Sequence, residues 1–157
     1  MQRFLVALVL LLAGSPAGAA GLSRGETIYV PVYSHVWHGN LDGSGKPSML
    51  PLSVMLSIRN VNPEHAITVR AVRYYDTGGK LLKEFYPEPK TLAPLQSADV
   101  FVENKDMTGG AGANFLVLWD AEGAVNAPIV EAVHAYFFGT QSLVFTSPGR
   151  AIESIAK

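Results

Sequence analysis

The chain has 157 residues, no cysteine, 12 Lys and Arg against 13 Asp and Glu, and 48% hydrophobic residues. One hydrophobic core serves that length, and the near-neutral balance gives no basic excess for binding nucleic acid. The missing thiols exclude disulfides, thiolate metal sites, a cysteine nucleophile and a lipid-modified cysteine.

Met1-Gln2-Arg3 supplies one positive charge, Phe4 to Ala13 is an unbroken apolar run, and Ala17-Gly18-Ala19 is an A-x-A cleavage pattern. A membrane span needs about 20 apolar residues, so this shorter run reads as a secretory signal. Residues 1–19 are expected to be a cleaved signal peptide. Residues 20–157 are expected to be a single periplasmic or secreted domain, with no membrane anchor after cleavage.

The remainder reads as strands. Glu26 to Tyr33 alternates Ile28, Val30 and Val32 with Thr27, Tyr29 and Pro31, and Pro31 predicts a sheet edge or a bulge there. Gly39 to Pro51 reads as a long loop. Leu52 to Asn60 alternates most cleanly, with Leu52, Val54, Leu56 and Ile58 facing inward. Asn60-Val61-Asn62-Pro63 is turn chemistry. Ile67 to Asp76 is a strand, and Asp76-Thr77-Gly78-Gly79 turns it into Lys80 to Tyr86. Ala98 to Glu103 follows, and then a flexible loop at Thr108 to Gly112. Asn114 to Trp119 is apolar on both faces, as a central, doubly covered strand requires. Ile129 to Phe138 and Ser142 to Ser147 complete the set, and Ala151 to Lys157 reads as one frayed helical turn. The expected fold is all-β: an antiparallel, immunoglobulin-like β-sandwich of seven or eight strands with no disulfide.

Chemistry-bearing residues are sparse. His35, His38 and His134 are the imidazoles open to a metal site. A spacing of three puts His35 and His38 on opposite faces of a regular strand, and they converge only if the chain curls beyond Tyr33. Otherwise they are two surface histidines beside Trp37. Glu131 and His134 invite an acid–base reading, yet the strand period separates them too, which favours a packed histidine. The Gly109-Gly110-Ala111-Gly112 loop lacks the Gly-Lys-Ser/Thr ending of a phosphate loop. Glu103, Asp106 and Asn114 flank it with oxygens suited to calcium or a sugar hydroxyl. Ser154-Ile155-Ala156-Lys157 matches the S-x-x-K pattern without its companion motifs. No metal and no cofactor is implied. Paired aromatics such as Tyr74-Tyr75 and Phe137-Phe138 put one ring on each face of a strand, leaving outer rings for sugar stacking or protein association.

Several strings resemble one family. Gly25-Glu26-Thr27-Ile28-Tyr29-Val30-Pro31-Val32-Tyr33-Ser34-His35 is similar to the opening of a bacterial family known as domain of unknown function number 3124. The resemblance continues through Leu56-Ser57-Ile58-Arg59-Asn60, Tyr74-Tyr75-Asp76, Gly110 to Val117 and Ile129-Val130-Glu131-Ala132. It implies a small exported bacterial protein and carries no known activity. Tyr33, His35, Glu103, Asp106, Asn114 and Glu131 are the places where a shared role would sit. The order of strands is also similar to the soluble transducer proteins of bacterial sensory rhodopsins, which implies a homo-oligomeric β-sandwich architecture and no function.

The leading expectation is a non-enzymatic module that binds a protein or carbohydrate partner or assembles with itself. The alternative is a metal- or carbohydrate-binding periplasmic protein using His35 and His38 or the Glu103–Asn114 loop. A third reading, a hydrolase, requires Glu131 and His134 to meet in a cleft.

Overall fold

In the computed structural model, residues 21–154 are described, and they form strands and no helix. The strands are β1 (Leu22–Val32), β2 (His35–His38), β3 (Ser48–Pro51), β4 (Ser53–Arg59), β5 (Ile67–Tyr75) and β6 (Leu81–Glu84). They continue with β7 (Lys90–Leu92), β8 (Ser97–Val102), β9 (Ala113–Asn126), β10 (Ile129–Phe138), β11 (Gln141–Pro148) and β12 (Arg150–Ser154). The expected signal peptide lies outside the described residues.

There are more strands than the seven or eight expected, because short segments gain their shape from a ladder rather than from alternation. The segment read as one loop, Gly39 to Pro51, ends in β3, which pairs with β2 from His35↔Pro51 to His38↔Ser48. The expected helical turn at the C-terminus is instead β12 over its described part. It lies on β1 from Glu26↔Ser154 to Tyr29↔Arg150, so the edge of β1 supplies the backbone partners a lone turn would lack.

Three antiparallel sheets result: a six-stranded one ordered β12-β1-β9-β5-β6 with β7 also on β5, a four-stranded one ordered β11-β10-β4-β8, and the β2-β3 pair. Pro31 is opposite Asn114 of β9, beyond the stretch covered by β12, so its missing N–H faces an open side of β1. β9 is central as expected, but only one of its faces is fully buried: Phe115, Val117 and Trp119 are inside, while Leu116 and Leu118 are half-exposed.

The six- and four-stranded sheets turn one face each toward a common core. Val30, Val72, Phe115 and Val117 from the first meet Val54, Leu56, Ile58 and Val130 from the second. Each such buried side chain contributes about 1.5–3 kcal/mol of burial free energy. The chain crosses from β11 in one sheet to β12 in the other at Gly149. A Cβ there would lie 2.7 Å from Ile28 Cγ2 and 2.8 Å from the Val130 carbonyl oxygen, so only glycine lets the chain pass this close.

The corner after β4 is held by buried amides. Asn60 Nδ2 donates to the carbonyls of His65, Leu92 and Ala93 at 2.9, 3.2 and 3.0 Å. Its Oδ1 accepts from Asn62 N–H at 3.0 Å, and Asn62 Oδ1 accepts from the N–H groups of Glu64 and His65. Every polar group of the Asn60 side chain is thus satisfied in the interior, as burial demands.

Candidate functional site

The residues singled out from sequence fall into three places. The first is a cluster at the end of β1 in which half-buried Tyr33 and Phe145 cover buried His134. Tyr33 N–H donates to His134 Nε2 at 3.1 Å, and the Tyr33 ring is 5.6 Å from His134 and 6.0 Å from Phe145. Phe145 stacks on the imidazole, 4.4 Å away and 5° from parallel. Accepting at Nε2 leaves the proton of a neutral imidazole on Nδ1, which has no hydrogen-bond partner. Desolvation pushes the His134 pKa down to about 4, with the Phe145 backbone opposing only part of that shift. Buried His134 is therefore neutral and fixed, a packing residue that orders the chain leaving β1.

Glu131 is three residues away on β10 and on the opposite face. Its carboxylate is 3.7 Å from Arg59, outside the core, whereas His134 is fully buried. The two side chains do not meet in a cleft, and the hydrolase reading is thereby overturned. His35 and His38 do not converge either. Both lie on the regular strand β2, where His35 is buried against Ser34 and edge-on to Trp37 at 4.8 Å, and His38 is exposed. Among the described residues, no group of three or more His, Asp or Glu side chains is placed to hold a metal ion.

The second place is a groove of about 480 Å³ between β6 and β8, the edges of the two large sheets. Glu103, Asp106 and Lys105 line its polar rim, and Tyr74, Phe85 and Phe101 its apolar wall. Much of this chemistry is already engaged. Lys105 pairs with Glu103, Lys83 Nζ sits 4.2 Å from the centre of the Phe85 ring, and Asp106 Oδ1 accepts from the N–H and hydroxyl of Thr108. Tyr74 is buried with its hydroxyl unpartnered. Desolvation, and then the nearby negative charge of Asp106, push its pKa up to about 12. Asn114 lies apart, on β9 between Pro31 and Tyr75.

The glycine-rich loop beside this groove is tied down, contrary to the flexibility expected of it. The Gly110 carbonyl accepts from both the N–H and the hydroxyl of Ser34, and the Gly109 carbonyl accepts from Thr77 N–H at 2.9 Å. A Cβ on Gly109 would fall 1.9 Å from the Tyr74 hydroxyl oxygen. These glycines serve close packing.

The third place is the outer face of the four-stranded sheet. Cross-strand partners share a face, so Thr146, Val133, Met55 and Phe101 form one row across it. The next row holds Val144, Ala135 and Ser53. Met55, Phe101 and Val144 are 39%, 56% and 54% exposed. Phe137 and Phe138, at the hairpin end of β10 past the reach of β4, are both exposed, so neither fills the core as the pairing rule suggested. Met55 and Val133 went unmarked in the sequence because their exposure depends on which face of β4 and β10 is outside.

A larger groove of about 680 Å³ on the six-stranded sheet is spanned by Arg70 and Asp120, joined at 2.6 and 2.9 Å in a bidentate pair that satisfies both groups. The Asp120 carboxylate holds the Arg70 pKa above its ordinary value.

A family model described as "Protein of unknown function (DUF3124)" matches residues 25–152. No curated protein matches the chain. Among solved structures, a similar one is titled "Crystal Structure of Thermotoga maritima 1070", with a TM-score of 0.45 and 11% identity over 83% of this chain and 97% of that one.

Proposed function

The chain belongs to the family described as Protein of unknown function (DUF3124), and we propose that this member is an exported, non-enzymatic β-sandwich that assembles with itself. The proposal takes the two large sheets as the halves of an immunoglobulin-like sandwich and residues 20–157 as the mature, periplasmic or secreted form. One observation carries the assembly: on the outer face of the four-stranded sheet two adjacent rows, Thr146–Val133–Met55–Phe101 and Val144–Ala135–Ser53, hold no charge, while Glu131, Asp99 and Arg59 lie together at the far end of that face. A solvated sheet face alternates to polar residues, and contiguous exposed apolar surface marks an interaction site. The contact is taken to be isologous, each copy laying the Met55–Phe101 row on that of the other about a twofold axis.

Light scattering on residues 20–157 after size exclusion tests this. A mass above that of one chain, lowered by Met55→Lys without loss of the β spectrum, is the expected result. A strict monomer at all concentrations would overturn it.

The groove between β6 and β8 supports a second reading, a carbohydrate-binding module. Phe85 and Phe101 offer stacking faces, and Glu103 and Asp106 offer acceptors for hydroxyls. Titration calorimetry with neutral oligosaccharides, compared with Asp106→Ala, which lies outside the Met55–Phe101 row, separates it from self-assembly.

A further inference from the structure

We propose that β11 is a second seam between copies of this chain, an antiparallel β11–β11 pairing about a twofold axis at Val144. The inference rests on the self-assembly reading and adds a separate contact with its own register.

Among the described residues the four-stranded sheet ends at β11, which pairs there only with β10. The N–H of Gly149 donates to the Val130 carbonyl at 2.8 Å, which makes 130/149 a hydrogen-bonded pair of that ladder. Antiparallel pairs alternate, so Ser147, Phe145 and Leu143 also spend their backbone groups on β10. Pro148 falls opposite Glu131 at a non-hydrogen-bonded position, where its missing N–H costs nothing. By the same alternation, the N–H and C=O groups of Ser142, Val144 and Thr146 point away from β10 to the open edge.

Edge strands are ordinarily protected by charge, proline or brevity. The other edges of the two large sheets carry charge: β12 has Arg150 and Glu153, β6 has Lys83 and Glu84, β7 has Lys90, and β8 has Asp99. β11 has none along its whole length from Gln141 to Pro148, and its one proline is at the end. A copy of β11 therefore meets no like charge when it pairs with itself.

The free backbone groups select the register. With Val144 opposite Val144 of the second copy, Ser142 stands opposite Thr146, and each of these residues donates once and accepts once across the seam. Leu143 then faces Phe145 of the other copy on the inner side. A slip by two residues in one direction sets Ser142 against Pro148, which has no N–H to give. A slip in the other sets Thr146 against Thr140, in the hairpin turn. The chosen register also keeps the outer faces continuous, so the apolar rows of the two sheets join through Val144. The edge axis stands normal to the sheet and the face axis lies parallel to it; taken to cross, the two twofold contacts close into a four-chain assembly.

Proline substitutions read the edge alone. Thr146→Pro removes an outward N–H and leaves the β10 ladder and Val144 in place, and Ser142→Pro repeats this at a second position. Light scattering on residues 20–157 is expected to give the mass of four chains for the unsubstituted protein. Half that mass is expected for either proline variant, half for Met55→Lys, and a monomer for Thr146→Pro combined with Met55→Lys. Circular dichroism checks that each variant is folded. Phe145→Pro, which removes an inward N–H, is expected to unfold. Because the chain has no cysteine of its own, Val144→Cys supplies one thiol per copy, about 5.5 Å from its mate by Cα in this pairing, within disulfide reach. It is expected to oxidise to a linked pair, whereas Ser142→Cys is not. If folded proline variants keep the full mass, or Ser142→Cys links as readily as Val144→Cys, the edge pairing is wrong and the face contact stands. If Met55→Lys keeps the full mass while the proline variants halve it, the face contact is wrong instead. A monomeric unsubstituted chain refutes both.

Discussion

The two large sheets share one core but present opposite outer faces. On the six-stranded sheet, a row runs Arg150, Tyr29, Leu116, Arg73 and Glu84, with charge at both ends and at Arg73. Arg73 pairs with Glu84 at 3.0 Å, and Arg70 pairs with Asp120 nearby. On the four-stranded sheet, the corresponding row of Thr146, Val133, Met55 and Phe101 holds no charge at all. Charge on this second face is confined to its far end, at Glu131, Asp99 and Arg59, which leaves the part around Met55 built for contact. The same sequence period serves both, and the difference lies only in which residue types fill the outward positions.

The comparison breaks most severely from within. Leu56 and Met55 are adjacent on β4 and point to opposite faces, and Leu56 is fully buried. Leu56→Ala should cost about 3 kcal/mol in denaturant unfolding. Met55→Ala should cost under about 1 kcal/mol, since its side chain is already partly in water.

Acid should act next, through His134 on the inner side of β10. Its folded pKa of about 4 lies below the 6.5 of an exposed histidine. The unfolded chain therefore takes up a proton that the folded one refuses. Stability present above pH 6.5 falls as the pH drops toward 4, by up to about 3 kcal/mol in total. Urea titrations across that range should show the slope, and His134→Leu should remove this contribution while leaving Tyr33 N–H unpaired.

Met55→Lys should sharpen the comparison by making the second face resemble the first. Folding stability should change by under about 1 kcal/mol, while self-association weakens at least about tenfold, equivalent to about 1.4 kcal/mol. The smallest effect belongs to the charged face. Arg73→Ala removes a partly exposed ion pair and should shift the unfolding free energy by no more than about 1 kcal/mol, with assembly unaffected.

Much of the fold was legible because alternation reports burial directly. Leu52, Val54, Leu56 and Ile58 are all fully buried, as their spacing demands. The hairpin at Asp76–Gly79 was legible too, since Gly79 takes the positive φ of 81° that its turn requires. β2, β3 and β12 were not, because a few residues hold no readable period and owe their form to a partner strand. The candidate residues fared unevenly for the same reason. Opposite faces for His35 and His38, and for Glu131 and His134, follow from strand spacing alone. The contact of Tyr33 with His134 joins residues 101 apart in sequence, and the groove of Tyr74, Phe85 and Phe101 exists only because β6 and β8 end on the same side. No local pattern encodes either.

The uncharged rows around Met55 and Phe101 are the proposed surface for a second copy. Sedimentation velocity on residues 20–157 over a concentration series, beside Met55→Lys, measures it most directly. A concentration-dependent assembly larger than one chain, weakened by Met55→Lys in a folded protein, is the expected result. A single monomeric boundary at every concentration, the same for both proteins, would contradict it.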